Sequence, residues 1–127
     1  MTQTATKYFT PRDAKKTLPL VRKIVRDILN NSFQIRTIAD SLGGETEGNE
    51  EINHLAREIN GFMKELEDVG CSYKDWNFSI GLVDFPAIIY DEEVLLCWRS
   101  DEEDILYYHG IDEGYNGRKL IPEEYMN

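Results

Sequence analysis

The feature that most constrains this chain is a pair of apolar seams flanking a short glycine-rich stretch. In the first, Leu18, Val21, Val25, Ile28, Ser32, Ile35, Ala39 and Leu42 follow one another at steps of three and four residues. In the second, Ile52, Leu55, Ile59, Phe62, Leu66 and Val69 do the same. Such spacing places one stripe along each helix and is the heptad seam of a packed, coiled-coil-like pair. Between the seams lies Gly43-Gly44-Glu45-Thr46-Glu47-Gly48-Asn49, which has nothing to bury and reads as a loop. Two comparable helices joined by a short polar loop fold back as an antiparallel hairpin. Leu20, Ile24 and Ile38 widen the first stripe, so that face is expected to meet more than one neighbour.

The helix ends are marked as well. Thr10 is a good N-cap, Pro11 suits the first helical position, and Asp13 sits where a carboxylate complements the helix dipole. Pro19 would remove a mid-helix hydrogen bond, which predicts a short turn to Thr17 and a restart or kink at Leu18-Pro19. Gly70 suits a C-cap, and Gly61 inside the second helix suggests close helix approach.

After Gly70 the apolar period falls from about 3.6 to about 2. Phe85–Tyr90, Val94–Arg99 and Ile105–His109 read as strands, with Asp91-Glu92-Glu93 and Ser100–Asp104 as the connections. Asn116-Gly117 is a turn signal that predicts a further small hairpin across Gly114 to Pro122. The fold class is therefore α+β, a long antiparallel helical hairpin followed by a small antiparallel β-meander. One domain over residues 1–127 is expected, with the hairpin at about 10–70 and the meander at about 71–127. Val94, Leu96 and Trp98 share one face of their strand, and Leu95 and Cys97 the other, so both faces are largely apolar. The hairpin covers one face. A homodimer covering the second is the expectation.

Charge narrows the partners. Residues 1–70 carry ten Lys/Arg against eleven Asp/Glu, whereas residues 71–127 carry four against thirteen. So acidic a second half repels phosphate backbones, which argues against nucleic acid and anionic membranes. The opening residues lack the apolar stretch of a secretory signal, and no window approaches a membrane span. With only Cys71 and Cys97, at no disulfide or metal-type spacing, a cytoplasmic setting with ordinary thiols is expected.

Chemistry is sparse. No GxSxG, GxGxxG, P-loop or HExxH pattern occurs. His54 falls off the helix seam and reads as a surface residue. His109 ends a strand, but with Asp112, Glu113 or Asp84 it would offer a metal one nitrogen ligand only. No metal site and no cofactor is expected. Cys97, among apolar neighbours in a strand, reads as an inert buried thiol. Arg99 and Arg118 are the only arginines of the acidic half. Converging on His109 they would bind a small anion; paired with Asp84, Glu103 or another local acid they would be structural. Arg99, which ends a core strand, is expected to be the more buried of the two.

Several strings carry a resemblance. Gly81-Leu82-Val83-Asp84-Phe85-Pro86-Ala87, then Leu96-Cys97-Trp98-Arg99, Tyr108-His109, Gly114 and Gly117-Arg118 stand in this order. Phe9-Thr10 and Leu18-Pro19-Leu20-Val21 open the chain in a matching way. The whole resembles a bacterial family known as domain of unknown function 2203. The chain departs from the family at Ser100 and Asp101, where a Leu-Gly pair before an acid is common. The resemblance implies a shared fold and a polar set of Asp84, Arg99, His109 and Arg118 as tentative ligand-binding residues. It implies no activity. The expected function is a non-enzymatic, self-associating interaction or ligand-binding module. The alternative is a small-anion binder or enzyme using His109 with Arg99 and Arg118.

Overall fold

The structure, a computed structural model, describes residues 7–126. Helix α1 spans Pro11–Ser41 and helix α2 spans Glu50–Val69. Thr10 caps α1 by accepting the Asp13 N–H at 3.1 Å, with Pro11 in the first turn. Asn49 caps α2 in the same manner through the Ile52 N–H at 2.9 Å. Gly70 ends α2 at φ 113°, a conformation that favours glycine, and its N–H returns to the Glu67 and Leu66 carbonyls.

Two helical expectations are corrected. Helix α1 is not interrupted at Leu18-Pro19 but runs through Pro19. The proline ring is exposed, and the Lys15 carbonyl one turn earlier lacks the N–H it would otherwise accept. Gly61 serves no close approach, because a Cβ built there meets nothing within 4 Å. Along the wider stripe Ile24 is buried and Ile38 half-buried, whereas Leu20 stands exposed.

Five antiparallel strands follow, in spatial order β1 to β5: Ser72–Tyr73, Leu82–Ile89, Glu92–Arg99, Tyr107–Gly110 and Lys119–Leu120. The β2–β3 turn is tighter than the expected Asp91-Glu92-Glu93 connection. Tyr90 and Asp91 alone form it, at φ 52° and 63°, and Glu92 and Glu93 belong to β3. Positive φ at both central residues matches the right-handed twist of the strands. The turn is braced by the chain end: the Tyr90 N–H donates to the Tyr125 hydroxyl at 3.0 Å, and the rings meet edge to face. The hairpin expected at Asn116-Gly117 is not formed. Tyr115–Gly117 make a 3₁₀ turn, and the chain continues as β5, which pairs with β4 in the register Tyr107↔Leu120.

Ala14, Leu18, Val21, Ile24, Val25 and Ile28 of α1 share one core with Val83, Phe85, Ala87, Val94, Leu96 and Trp98 of the sheet. Ile59 and Leu66 bring α2 into the same core. At 1.5 Å per residue α1 is about 46 Å long, whereas an eight-residue strand reaches only about 26 Å. The excess shows in the gradient of burial along the seam. Val21 to Ile28 are fully buried, Ile35 is half-buried and Leu42 is exposed.

Asp75 shapes the entry to the sheet. Its carboxylate accepts the N–H groups of Asn77, Ser79, Ile80 and Gly81 at 2.8–3.2 Å, folding residues 75–81 into a tight loop ahead of β2. Burial works to raise this carboxyl's pKa, but the four N–H donors outweigh it and hold the pKa below the ordinary value.

Candidate functional site

Alternation along β2, β3 and β4 sends one set of side chains to the helices and the other to the outer face. The register makes Asp84 the direct partner of Cys97, and His109 the partner of Leu95 two residues away. Asp84, Cys97 and His109 therefore meet on the outer face, one from each of three adjacent strands. All three are buried, at 5, 2 and 3% exposure. His109 Nε2 lies 3.2 Å from Asp84 Oδ1, and Nδ1 lies 2.9 Å from the Gly110 carbonyl. One ligating atom of each residue, Cys97 Sγ included, falls within 4.8 Å of the others.

The segment after β4 lies over them. Ile111, Glu113, Gly114 and Tyr115 arch over the outer face and, with Lys74, Leu82 and Leu95, line a half-open cavity of about 330 Å³ with Asp84, Cys97 and His109 in its wall. Glu113 fixes the arch by accepting the Gly110 N–H at 2.7 Å. The expectation that nothing in the chain covers this face is thus corrected in part, since Ile88 and Leu120 remain 46 and 66% exposed.

The arginines stand apart from the histidine. Arg99 makes a two-pronged pair with Asp101 at 2.6 and 2.9 Å, and its guanidinium lies 5.5 Å from the Tyr115 ring centre. Arg118 pairs with both Glu102 carboxylate oxygens and stacks 4.0 Å over Tyr107 and 4.7 Å from Tyr115. Of the four residues anticipated from sequence, Asp84 and His109 come together, while Arg99 and Arg118 meet on Tyr115. The expected order of burial is reversed. The Arg118 and Glu102 side chains are 10 and 14% exposed, against 33 and 47% for Arg99 and Asp101. The reason is the arch itself, which carries Arg118 inward across β4 while Arg99 points off the strand end.

Electrostatics follow burial. Desolvation raises the Asp84 carboxyl above the ordinary carboxylate range, with His109, Lys74 and Cys97 opposing it. Desolvation likewise pushes the Cys97 thiol up to about 12, with the Asp84 carboxylate adding to the rise and Arg118 counteracting it. A thiol so placed is protonated at neutral pH and is no nucleophile by itself. Nor does His109 hold a ring nitrogen free for a substrate, because each already faces an acceptor. With Nδ1 donating to Gly110, the Nε2–Asp84 contact requires one further proton, on the ring or on the carboxyl.

The sequence profile of the uncharacterized conserved protein family DUF2203 matches residues 7–121. The chain belongs to this family. Neither a curated protein nor a solved structure matches it. Among the described residues no helix is long and apolar enough to cross a membrane. The DUF2203 match spans both helices, all five strands and the arch, so every residue of the site lies inside it. Cys97 is the site residue that sequence reasoning set aside. Its signal was present in the alternation, which opposes Cys97 to Trp98, but only the strand register adds Asp84 and His109 beside it.

Proposed function

We propose that this DUF2203 member is a non-catalytic ligand-binding protein whose site is the cavity beneath the 111–115 arch. The observation that supports this reading is the wall of the cavity, where the buried side chains of Asp84, Cys97 and His109 lie beside Leu82, Leu95 and Ile111. A cavity of about 330 Å³ lies at the small end of the roughly 300–1,000 Å³ range of ligand sites and suits a compact molecule. The pairing of Arg99 with Asp101 and of Arg118 with Glu102 leaves neither arginine free for an anion, which weighs against recognition by arginine forks. The lack of a free ring nitrogen on His109 weighs against general-base catalysis in the same way.

The test is a screen of compact polar ligands by protein-observed NMR, with Leu95→Trp as the variant that fills the cavity. Hits should shift the resonances of Leu95, His109, Ile111 and Tyr115 together and be lost in Leu95→Trp. Hits confined to other surfaces would overturn the reading.

A second reading has its own support. Ile88 and Leu120 are exposed on this same outer face beyond the reach of the arch, which favours homodimerisation there. Light scattering at tens of micromolar should give twice the chain mass, and Leu120→Glu should halve it. A monomer mass for the wild type ends the dimer reading.

A further inference from the structure

We propose that Asp84, Cys97 and His109 hold a divalent cation of the zinc class, with one coordination position left open to the cavity. The inference deepens the ligand-binding reading and rests on the same site, because it names what would anchor a ligand there.

The donor set comes first. A thiolate, an imidazole and a carboxylate are the three side chains that bind Zn²⁺, and the thiolate discriminates against hard cations such as Mg²⁺ and Ca²⁺. Around a tetrahedral zinc, bonds of about 2.0–2.3 Å put neighbouring ligand atoms roughly 3.2–3.8 Å apart. The Nε2–Oδ1 edge already measures 3.2 Å, and no pair in the cluster exceeds 4.8 Å. Closing the remaining gap to Sγ takes a side-chain adjustment, not a movement of strands. The three Cα positions are held by a continuous hydrogen-bonded ladder, which sets the ligands in place before any ion arrives.

The surroundings of the ring match a ligating histidine. Its Nδ1 donates to the Gly110 carbonyl at 2.9 Å, the contact that orients a metal-bound imidazole and leaves Nε2 as the coordinating atom. Three protein ligands with a cavity on the open side is the arrangement of a site that accepts an outside molecule, whereas closed structural sites use four. Lys74 and Glu113, of opposite sign, both line that cavity.

Binding balances as an exchange. Bonds from Cys97 Sγ, His109 Nε2 and Asp84 Oδ1 to M²⁺ form as the protons those atoms carry leave to solvent, and no electron is transferred.

The experiment is titration of the full-length, chelator-treated protein with Co²⁺, followed by displacement with Zn²⁺. A thiolate-to-cobalt absorption band should saturate at one ion per chain and vanish when Zn²⁺ is added. It should be absent in Cys97→Ser and unchanged in Cys71→Ala. His109→Gln should weaken binding by more than about 100-fold, since orienting contacts alone are worth about 10–100-fold. Calorimetry of Zn²⁺ binding to the wild type in two buffers should show one ion per chain bound with release of protons, a readout that needs no variant. A folded wild type that develops no thiolate band overturns the proposal, and so does a band that survives Cys97→Ser. Compact ligands that bind while Co²⁺ does not would overturn the metal site and leave the ligand-binding reading standing. Co²⁺ bound through Cys97 with no compact ligand taken up would do the reverse.

Discussion

The two faces of the central strands differ residue by residue, although they are built from the same chain segments. Val83, Phe85, Leu96 and Trp98 point inward, are fully buried and make apolar contacts with α1. Their sequence neighbours Asp84 and Cys97 point outward, are also buried, and carry the polar chemistry of the molecule. The inner face is covered by a helix of 31 residues, the outer one by a short arch over a half-open cavity. Burial alone therefore does not distinguish them. The difference lies in what covers each face: close-packed apolar side chains of the helices on one, and an arch with a cavity beside buried polar groups on the other.

The sharpest way to break this contrast is to truncate one member of each face. Trp98→Ala should cost about 3–5 kcal/mol in urea titration, the loss typical of a large core aromatic. Asp84→Ala should cost nearly as much, about 3–5 kcal/mol, because His109 then loses its buried partner. The double variant Asp84→Leu/His109→Leu separates the two faces. It should lie within about 1 kcal/mol of the wild type or exceed it, since well-packed apolar groups replace a buried pair at little cost. A double variant as unstable as Trp98→Ala would mean that the outer cluster serves the fold in the same way as the inner face.

Smaller effects sharpen the comparison at the rim. Arg118→Ala should cost about 2–3 kcal/mol, since its charged hydrogen bonds with Glu102 lie under the arch. Arg99→Ala should cost no more than about 1 kcal/mol, because its pair with Asp101 is solvent-exposed. Equal midpoints for the two variants would show that the arch does not shield Arg118. The smallest expected change is a gain. Gly61→Ala should stabilise the protein by about 0.5–1 kcal/mol, as the new methyl group meets no neighbour and the helix loses a flexible residue. A raised midpoint in guanidinium would check it, and a fall would reveal a contact on that side of α2.

Much of the fold is legible in the residues alone. Thr10, the two seams and Gly70 specify the hairpin, because capping, helical period and left-handed backbone are local requirements that local residues meet. Alternation in Val94–Trp98 likewise separates the inner from the outer side chains. The site is legible only in halves. Asp84 and His109 stand out as polar groups in strands, but their contact depends on register, and register depends on the turn. A Tyr90-Asp91 turn of two residues pairs Asp84 with Cys97, whereas the longer connection suggested by the acidic run does not. Aspartate at 91 tolerates positive φ, but tyrosine at 90 does not announce it. That conformation is held by distant contacts, among them the Tyr125 hydroxyl.

The sequence by itself determined the helix pair, its Thr10 and Gly70 caps, the change to strand periodicity and the apolar inner face. Each of these rests on interactions within a few residues or on the period of one segment. The tertiary structure alone decided that Pro19 lies within a continuous helix, that β5 pairs with β4, and that the arch covers Cys97. It also decided that Arg118, not Arg99, is the buried arginine. These outcomes turn on which surfaces water still reaches once the chain has folded, and on contacts between residues tens of positions apart. A one-residue change in strand pairing would exchange the two faces, and no local preference carries enough free energy to settle that choice.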